Sequence, residues 1–372
     1  MRHSVFPRVV ARLPRRLIFT IVYVYCLLLV YRLQDARQDA SEGRAGMMSE
    51  WAARALSVRQ GCAAARDSLP LTRLQKNALA AARVDAKLAA HYDRLHLKGV
   101  LGDLVYVTRR NFTWCIMPKV ASTSWAVALL HLEGYGNDDL AESGEPPQVI
   151  LRQVFRPVQP DKVNTTVQTS LKFLFVRHPL ERLVSAYRNK LEDCNMYSDG
   201  EHFYRTYGRS IVQRFRQRKK SKSPGDARGA EDLGDSAEFR QEPTFEEFVD
   251  YLINTEVVDY DEHWKPMWLQ CHVCDLEYDY IIKYESFQEE NDYLLHLMKE
   301  RKHLPEQFGV KWENKGGTDK ATTLQYLSKI SEHKLWLLYA KYQLDFKFFG
   351  YTMEGYSKAI PPELSIQSND MH

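Results

Sequence analysis

A short segment rich in small and hydroxyl side chains has the composition of a phosphate-binding turn. Its residues are Pro118, Lys119, Val120, Ala121, Ser122, Thr123, Ser124 and Trp125. An apolar run that ends at Met117 predicts a strand before it, and a helix is predicted to begin near Ser124. At such a turn, successive backbone N–H groups can converge on one oxyanion with help from the helix dipole. Lys119 adds a positive charge, although a helix N-cap rich in serine and threonine has the same composition.

A second candidate anion site follows a buried strand. The apolar run Leu171–Val176 predicts that strand, and Arg177 comes directly after it, where ligands of open α/β sheets bind. Pro179 favours the first turn of the next helix, and Ser185 lies two turns into that helix. Arginine and hydroxyl groups so placed can bind a phosphate through charge-assisted hydrogen bonds. The alternative is an arginine that caps the sheet edge and a serine buried in a helix.

Other nucleotide-binding patterns are absent from the sequence. Neither G-x-x-x-x-G-K-[ST] nor G-x-G-x-x-G after a strand occurs. The sequence therefore lacks the usual motifs for nucleotide hydrolysis and for nicotinamide binding. The net charge is only +3, and we expect no nucleic-acid partner. Two separate anion sites predict instead a ligand with two anionic groups.

Alternating strands and helices are needed to bring these two segments together. The sequence predicts strands at 105–107, 114–117, 171–176 and 278–283, and helices at 125–132, 180–191, 245–252, 293–301 and 331–345. This order is typical of an α/β fold with three layers, in which helices cover both faces of a parallel sheet. Residues 217–241 are polar and charged, which predicts a flexible insertion.

The N-terminal residues predict a membrane anchor. Residues 17–31 are almost entirely apolar, and the charges before them are all basic. The positive-inside rule then places residues 1–16 in the cytoplasm and the bulk of the chain in the lumen. A cleaved signal peptide is the alternative, but no small-residue cleavage site follows Tyr31. The remaining segments are predicted as a stem at 32–100 with a helix over 71–97, a globular domain at 101–357 and a disordered tail at 358–372.

Glycosylation sequons and cysteines agree with a lumenal location. Asn111 and Asn164 each begin an Asn-X-Thr triplet. The cysteines after the anchor are Cys62, Cys115, Cys194, Cys271 and Cys274. An oxidising lumen favours disulfides among them, and the odd number leaves one without a partner in the chain. Cys271 and Cys274 with His263 and His272 could instead bind zinc. We expect disulfides, with partners such as Cys115 and Cys194, and no metal.

The two anion-binding segments resemble the donor-binding motifs of sulfotransferases. The stretches 115–121, 173–177 and 181–188 look like those of Golgi carbohydrate sulfotransferases, in the group of the human natural killer epitope and chondroitin/dermatan 4-O enzymes. The blocks 261–266, 271–274, 278–285 and 346–351 extend this resemblance over roughly residues 100–355. Ser122, Ser124 and His178 depart from the group, which usually has Cys, Asn and Glu there.

The resemblance implies a P-loop-like sulfotransferase fold and a Golgi enzyme with one N-terminal anchor. It implies 3′-phosphoadenosine 5′-phosphosulfate as co-substrate, bound by residues 118–125, Arg177 and Ser185. The implied acceptor is a sugar hydroxyl, namely the 4-position of N-acetylgalactosamine in chondroitin or dermatan. Lys119 is then a catalytic residue that stabilises charge developing on the transferred group. His263 is the candidate base, its alternative role being a structural histidine packed beside Trp264.

Two alternatives concern the acceptor and the class of protein. The acceptor could be a terminal glucuronic acid or a heparan chain, or the protein could be a lumenal lectin without catalytic activity. A basic run at 205–222 could bind a polyanionic glycosaminoglycan or could be a solvated surface. Residues 315–318 could close over the nucleotide or could form a simple glycine turn.

Overall fold

The computed structural model describes residues 43–64, 102–155, 162–216, 241–311 and 317–357. The chain divides into two units between Glu50 and Trp51. In the first unit the described residues, 43–50, are helical, and in the second unit helix α1 covers residues 51–64. Among the described helices, none combines the length and apolarity needed to cross a bilayer. The segments that lie outside the described residues are the anchor predicted at 17–31, the stem helix predicted at 71–97, residues 217–240 of the predicted insertion and the tail at 358–372.

One mixed sheet forms the centre of the second unit. Its strands are β1 (Leu104–Val107), β2 (Phe112–Cys115), β3 (Leu171–Val176) and β4 (Tyr280–Lys283), in the spatial order β1-β2-β3-β4. The strands β2, β3 and β4 are parallel, as the sequence predicts. Strand β1 is antiparallel to β2, so the prediction of a wholly parallel sheet is wrong at this edge. The reason is the short turn at Thr108–Arg110, because a parallel crossover needs a dozen or more residues.

Helices flank this sheet and fill the connections between its strands. After α1 they are α2 (Ser122–Leu132), α3 (Asn137–Glu142), α4 (Pro147–Val154), α5 (Val163–Thr169), α6 (Pro179–Lys190), α7 (Gly200–Phe203), α8 (Arg209–Ile211), α9 (Phe245–Ile253), α10 (Met267–Gln270), α11 (Phe287–Glu300), α12 (Lys320–Leu327) and α13 (Glu332–Phe349). The π-helical segments Tyr204–Gly208 and Val212–Arg216 join α7 and α8 into one helical stretch. The sequence predicts α2, α6, α9 and α13 within a few residues, whereas α11 begins at Phe287 rather than near 293.

An aromatic cluster holds α2 against the sheet. The Trp125 ring is fully buried, and its centroid lies 5.1 Å from that of Phe173 and 5.6 Å from that of Phe175 on β3. Its Nε1 donates to Oδ1 of Asn291 on α11 at 2.9 Å. Complete burial of an aromatic side chain stabilises a fold by about 2–3 kcal/mol. Trp125 therefore fixes the first turn of α2 beside the carboxyl-terminal ends of the strands.

Two disulfides brace the same domain. Cys115 at the end of β2 pairs with Cys271, so Cys115 is one of the partners that the sequence suggests for the Cys271 and Cys274 pair, and Cys62 on α1 pairs with Cys274. The expectation that Cys194 takes part is wrong for the described residues, since its Sγ donates instead to Oε1 of Glu242 at 3.2 Å. The residues of α1, placed in the stem from sequence, are thus bonded to the globular domain. Across the part of the chain that the structure describes, no group of three or more metal-ligating side chains is found.

Candidate functional site

The carboxyl-terminal ends of the parallel strands bring the two predicted anion sites together. The turn at 116–121 follows β2, and Arg177 follows β3, which is paired with β2 in parallel register. Arg177 Nη1 donates to the backbone oxygen of Lys119 at 3.3 Å. The two segments, which are far apart in sequence, therefore form one site at one edge of the sheet.

The turn before α2 has a backbone shape that is rare without glycine. Lys119 has φ of 73° and Ala121 has φ of 68°, so both adopt the left-handed conformation. Ala121 is the N-cap of α2, and no side chain caps this helix end. Left-handed conformations in residues other than glycine cost on the order of 1 kcal/mol or more, and they concentrate at ligand-binding sites. The hydroxyl-rich sequence is therefore not explained by helix capping.

The side chains of the turn divide between core and site. Pro118, Val120, Ser122 and Trp125 are buried, while Thr123 is exposed and its Oγ1 accepts a hydrogen bond of 2.6 Å from Gln148 Nε2. Val120 and Trp125 are almost completely buried, so they can serve a ligand only through their backbone N–H groups. Lys119 and Ser124 are half-buried.

Arg177 is buried among oxygen acceptors and an aromatic ring. Besides the Lys119 oxygen, its guanidinium donates through Nη2 to the backbone oxygen of Thr318 and lies 3.6 Å from Oε2 of Glu181. The guanidinium carbon lies 4.4 Å from the centroid of the Tyr284 ring. Its Nε is also buried but has no hydrogen-bond partner in the described part of the chain. Thr318 brings the segment at 317–318 directly against the predicted site.

Ser185 lies on α6, eight residues after Arg177. The residue is 7% exposed, and its hydroxyl forms no hydrogen bond with any described residue. Arg188, three residues further on, donates from Nη1 to Oγ1 of Thr318 at 2.8 Å. A hydroxyl without a partner among the described residues can donate a hydrogen bond to a bound anion.

Positive charge is concentrated around Lys119. The pKa of Lys119 is lowered to about 7, chiefly by burial and in addition by the neighbouring charges of Lys190 and Arg177. The Lys190 ammonium is paired with Asp199 and lies 4.6 Å from the centroid of the Phe203 ring. Among the described residues, none accepts a hydrogen bond from the Lys119 ammonium. The site therefore contains a cation that a bound anion would stabilise.

His263 is held in the orientation of a base. Its Nδ1 lies 2.6 Å from Oδ1 of Asp261, and its backbone N–H donates to the same oxygen at 3.0 Å. The other Asp261 oxygen accepts a hydrogen bond from the Tyr207 hydroxyl at 3.2 Å. Phe203 packs edge-on against the imidazole, with ring centroids 5.1 Å apart. Burial lowers the pKa of His263, opposed by the Asp261 hydrogen bond and reinforced by Lys190. A neutral imidazole with a free Nε2 can accept a proton.

His178 and Glu181, which lie next to Arg177 in sequence, have structural roles. His178 stacks on Tyr356 at 4.0 Å between centroids, and its Nε2 lies 3.0 Å from the backbone oxygen of Thr352. Burial lowers the pKa of His178 to about 4. Glu181 accepts a hydrogen bond of 2.5 Å from the Tyr356 hydroxyl. The histidine that replaces the acid of the resembling group therefore packs between the site and the C-terminal residues.

The predicted basic run is in part internally paired. Arg216 donates from Nε and Nη2 to the two carboxylate oxygens of Glu247, each at 2.8 Å, and Arg205 donates to Glu201 at 2.6 Å. The lysines at 219–222 lie outside the described residues. Of the sequons, Asn111 is exposed in the β1–β2 turn, and Asn164 lies within α5.

Several residues of the site have no clear sequence signal. Lys190, Asp199 and Tyr207 join it only because the helical stretch from Gly200 packs beside the His263 segment. Asp261 could have been found, since an acid two residues before a histidine can reach its Nδ1 through a short turn.

Comparison with known proteins identifies a matching family and several similar proteins. Residues 103–352 match the family described as Sulfotransferase family. Carbohydrate sulfotransferase 11 of Rattus norvegicus is 32% identical over 264 residues, which are 69% of each chain. Human carbohydrate sulfotransferase 14 is 28% identical over 262 residues, or 70% of this chain and 62% of the relative. Human carbohydrate sulfotransferase 9 is 26% identical over 261 residues, or 69% of this chain and 55% of the relative. No solved structure matches.

Proposed function

The chain belongs to the sulfotransferase family, and from this premise we propose that it transfers sulfate from 3′-phosphoadenosine 5′-phosphosulfate to a sugar hydroxyl of a glycan. The proposal is carried by the hydrogen bond from Arg177 to the backbone oxygen of Lys119, which joins the two predicted anion sites, and by Lys190, whose charge acts on both Lys119 and His263. Its relatives carry the printed name carbohydrate sulfotransferase, which supports a glycan as the acceptor.

The donor fits the groups that the site leaves without partners. It carries a phosphosulfate and a separate 3′-phosphate, and the site offers two separate donor sets. Lys119 and the N–H groups of the strained turn would bind the phosphosulfate. The Ser185 hydroxyl and the unpartnered Arg177 Nε would bind the 3′-phosphate. The turn after β2 would then occupy the place of the phosphate loop in a P-loop-like fold.

The transfer itself is a single displacement at sulfur. The sugar oxygen forms a bond to sulfur, the bond between sulfur and the phosphate oxygen breaks, and adenosine 3′,5′-bisphosphate leaves with the electron pair. His263 takes the hydroxyl proton at Nε2, while Asp261 holds the ring and stabilises the imidazolium. Lys119 stabilises the charge that grows on the leaving oxygen and the transferred group.

For the acceptor we propose the 4-position of N-acetylgalactosamine in chondroitin or dermatan. The support is the resemblance in blocks 115–121, 173–177, 181–188 and 261–266. We also propose a Golgi membrane location, with residues 17–31 as the anchor and the domain from about residue 101 in the lumen. Its support is the apolar N-terminal run with basic residues before it, together with the two sequons and the two disulfides.

Labelled donor tests the proposal on the full-length chain, expressed in cultured cells and purified in detergent. The protein is incubated with ³⁵S-labelled donor and desulfated chondroitin, dermatan and heparan, and the products are digested to disaccharides. We expect label on the 4-position of N-acetylgalactosamine, lost in Lys119→Ala and kept in Lys347→Ala, a matched variant of an exposed lysine on α13.

The other outcomes separate the alternatives. Label at another position or on heparan keeps the sulfotransferase reaction and replaces the acceptor. No label on any acceptor, together with no retention on an adenosine 3′,5′-bisphosphate resin, contradicts the proposed reaction and favours a lectin.

A further inference from the structure

Arg182 is a buried residue of α6, and all three nitrogens of its guanidinium donate hydrogen bonds. The residue is 1% exposed. Its Nε donates to the backbone oxygen of Pro118 at 3.1 Å. Its Nη2 and Nη1 donate to the backbone oxygens of Glu262 and Lys265, each at 2.8 Å. One planar group thus connects two segments that are far apart in sequence.

The two segments are those that carry the reacting side chains. Pro118 directly precedes Lys119, and Glu262 directly precedes His263. The N–H donors of the guanidinium lie in one plane at fixed angles. The backbone oxygens of Pro118 and Glu262 are therefore held at a defined separation. Arg182 therefore links the turn that carries Lys119 directly to the turn that carries His263.

A buried carboxylate supports the same arrangement from the other side. Asp345 is fully buried, and its two oxygens accept hydrogen bonds of 2.8 Å from the backbone N–H groups of Met267 and Trp268. Its charge favours the protonated Arg182 guanidinium, while burial raises the pKa of Asp345 to about 7. The segment from Glu262 to Trp268 is thereby held by Arg182 through its carbonyls and by Asp345 through its amides.

We propose that Arg182 is a positioning residue that sets the distance between Lys119 and His263, and through it the rate of sulfate transfer. The proposal rests on the proposed function above. Among the described residues, Arg182 donates hydrogen bonds only to backbone oxygens, so its effect passes through the two turns. Donor binding depends on it less, because Arg177 independently holds the Lys119 turn and the Cys115–Cys271 disulfide ties the end of β2.

The test is Arg182→Lys in the full-length chain. A lysine ammonium keeps the charge but cannot reach carbonyls on both sides in the planar fan. We expect kcat to fall about 10- to 100-fold, the loss typical of a misplacement of about 1 Å. We expect the Kd of adenosine 3′,5′-bisphosphate to change less than about threefold. Arg54→Lys is the matched control, because Arg54 also joins two segments by donating to the Ile281 oxygen and to Glu290. It should keep kcat.

A second readout does not depend on turnover. The ¹³C-labelled imidazole resonance of His263, assigned with His263→Gln, should shift in Arg182→Lys and stay in place in Arg54→Lys. Asp345→Asn replaces the buried carboxyl group beside Arg182. It should lower kcat by a smaller factor than Arg182→Lys does, again with little change in Kd. It is the test variant if Arg182→Lys fails to fold.

The outcomes keep the two proposals apart. An unchanged His263 resonance, or a kcat equal to that of Arg54→Lys, overturns the role of Arg182. A bisphosphate Kd that rises by the same factor as kcat falls also overturns it, since the whole site would then be damaged. A wild-type protein that transfers no sulfate contradicts the proposed function, while the His263 resonance still decides the role of Arg182.

Discussion

The Nδ1 atom of His263 lies 2.6 Å from Oδ1 of Asp261, and this hydrogen bond determines which imidazole nitrogen can react. When the carboxylate accepts a hydrogen bond from the Nδ1–H group, the lone pair of the neutral ring is on Nε2. The same Asp261 oxygen also accepts from the His263 backbone N–H, so the side chain and main chain of His263 are fixed together. The arrangement is that of a base with an orienting acid.

Replacement of the base should affect chemistry more than binding. His263→Gln should lower kcat by about 10²–10⁴-fold, because no group then accepts the sugar proton. Asp261→Asn should lower kcat less, since the imidazole remains but is no longer oriented. Steady-state kinetics with labelled donor measure both effects. His333→Gln, on the exposed face of α13, is the control, and near-normal kcat in His263→Gln would remove His263 from the mechanism.

The lowered pKa of His263 predicts the acidic limb of the rate profile. A base must be unprotonated, so kcat/KM should fall with decreasing pH only below the ordinary histidine value of about 6.5. In Asp261→Asn the limb should move to lower pH, because the carboxylate that favours the imidazolium is gone. A limb at an unchanged pH in this variant would contradict the assignment.

Donor binding should weaken as the pH rises above about 7. The pKa of Lys119 in the free protein is about 7, so at higher pH the lysine must take up a proton before it can pair with a phosphate. We expect the Kd of adenosine 3′,5′-bisphosphate to rise by up to about tenfold per pH unit between pH 7 and 9. Calorimetric titration measures this rise. Lys119→Arg, charged at every pH, should give a flat profile, and parallel profiles for the two proteins would refute the link.

Ser185 should contribute to binding of the same ligand. Its buried hydroxyl has no partner among the described residues, and a hydrogen bond to a charged group contributes about 1.5–3 kcal/mol. Ser185→Ala should therefore raise the Kd of adenosine 3′,5′-bisphosphate by about 10- to 100-fold. Ser328→Ala, whose hydroxyl donates to the backbone oxygen of Gln325, is the matched control. Equal affinities of these two variants would exclude Ser185 from the site.

His178 should make the fold sensitive to acid. Its pKa is about 4 in the folded chain and about 6.5 when unfolded, so between these values the unfolded chain binds one more proton. The free energy of unfolding should thus decrease as pH falls from 6.5 to 4, by about 3 kcal/mol from this residue. Denaturant titrations of wild type and His178→Gln should converge over this range. Curves that stay parallel would contradict the prediction, and His333→Gln should follow wild type.

The local sequence pattern predicts the strands and helices whose formation depends on residues close together in the chain. The apolar run Leu171–Val176 is found as β3 with the predicted bounds, and both anion-binding segments follow their strands as expected. The start of α11 is missed because its first turn contains Glu289 and Glu290, which give little apolar periodicity. The pairing of Cys62 with Cys274 is missed because it joins positions 212 residues apart, and sequence does not contain that distance.

The same limit applies to the candidate site. Lys119, Arg177 and Ser185 can be found because each occupies a characteristic place in a strand-turn-helix unit. Lys190 and Arg182 lie on α6 among other charged residues, and only the packed structure shows that one pairs with Asp199 and the other reaches Pro118.

The connectivity of the disulfides makes the order of synthesis matter for this protein. Each bond joins a cysteine made early, Cys62 or Cys115, to one made late, Cys274 or Cys271, with separations of 212 and 156 residues. A chain that emerges from its N-terminus therefore exposes both early cysteines long before either partner exists. In an oxidising compartment the two early cysteines can pair during that interval with each other, with Cys26 or with Cys194. Such bonds must be exchanged later through thiolate attack. We expect that, in an oxidising compartment, a disulfide isomerase raises the yield of the folded chain, although the described residues contain only two bridges.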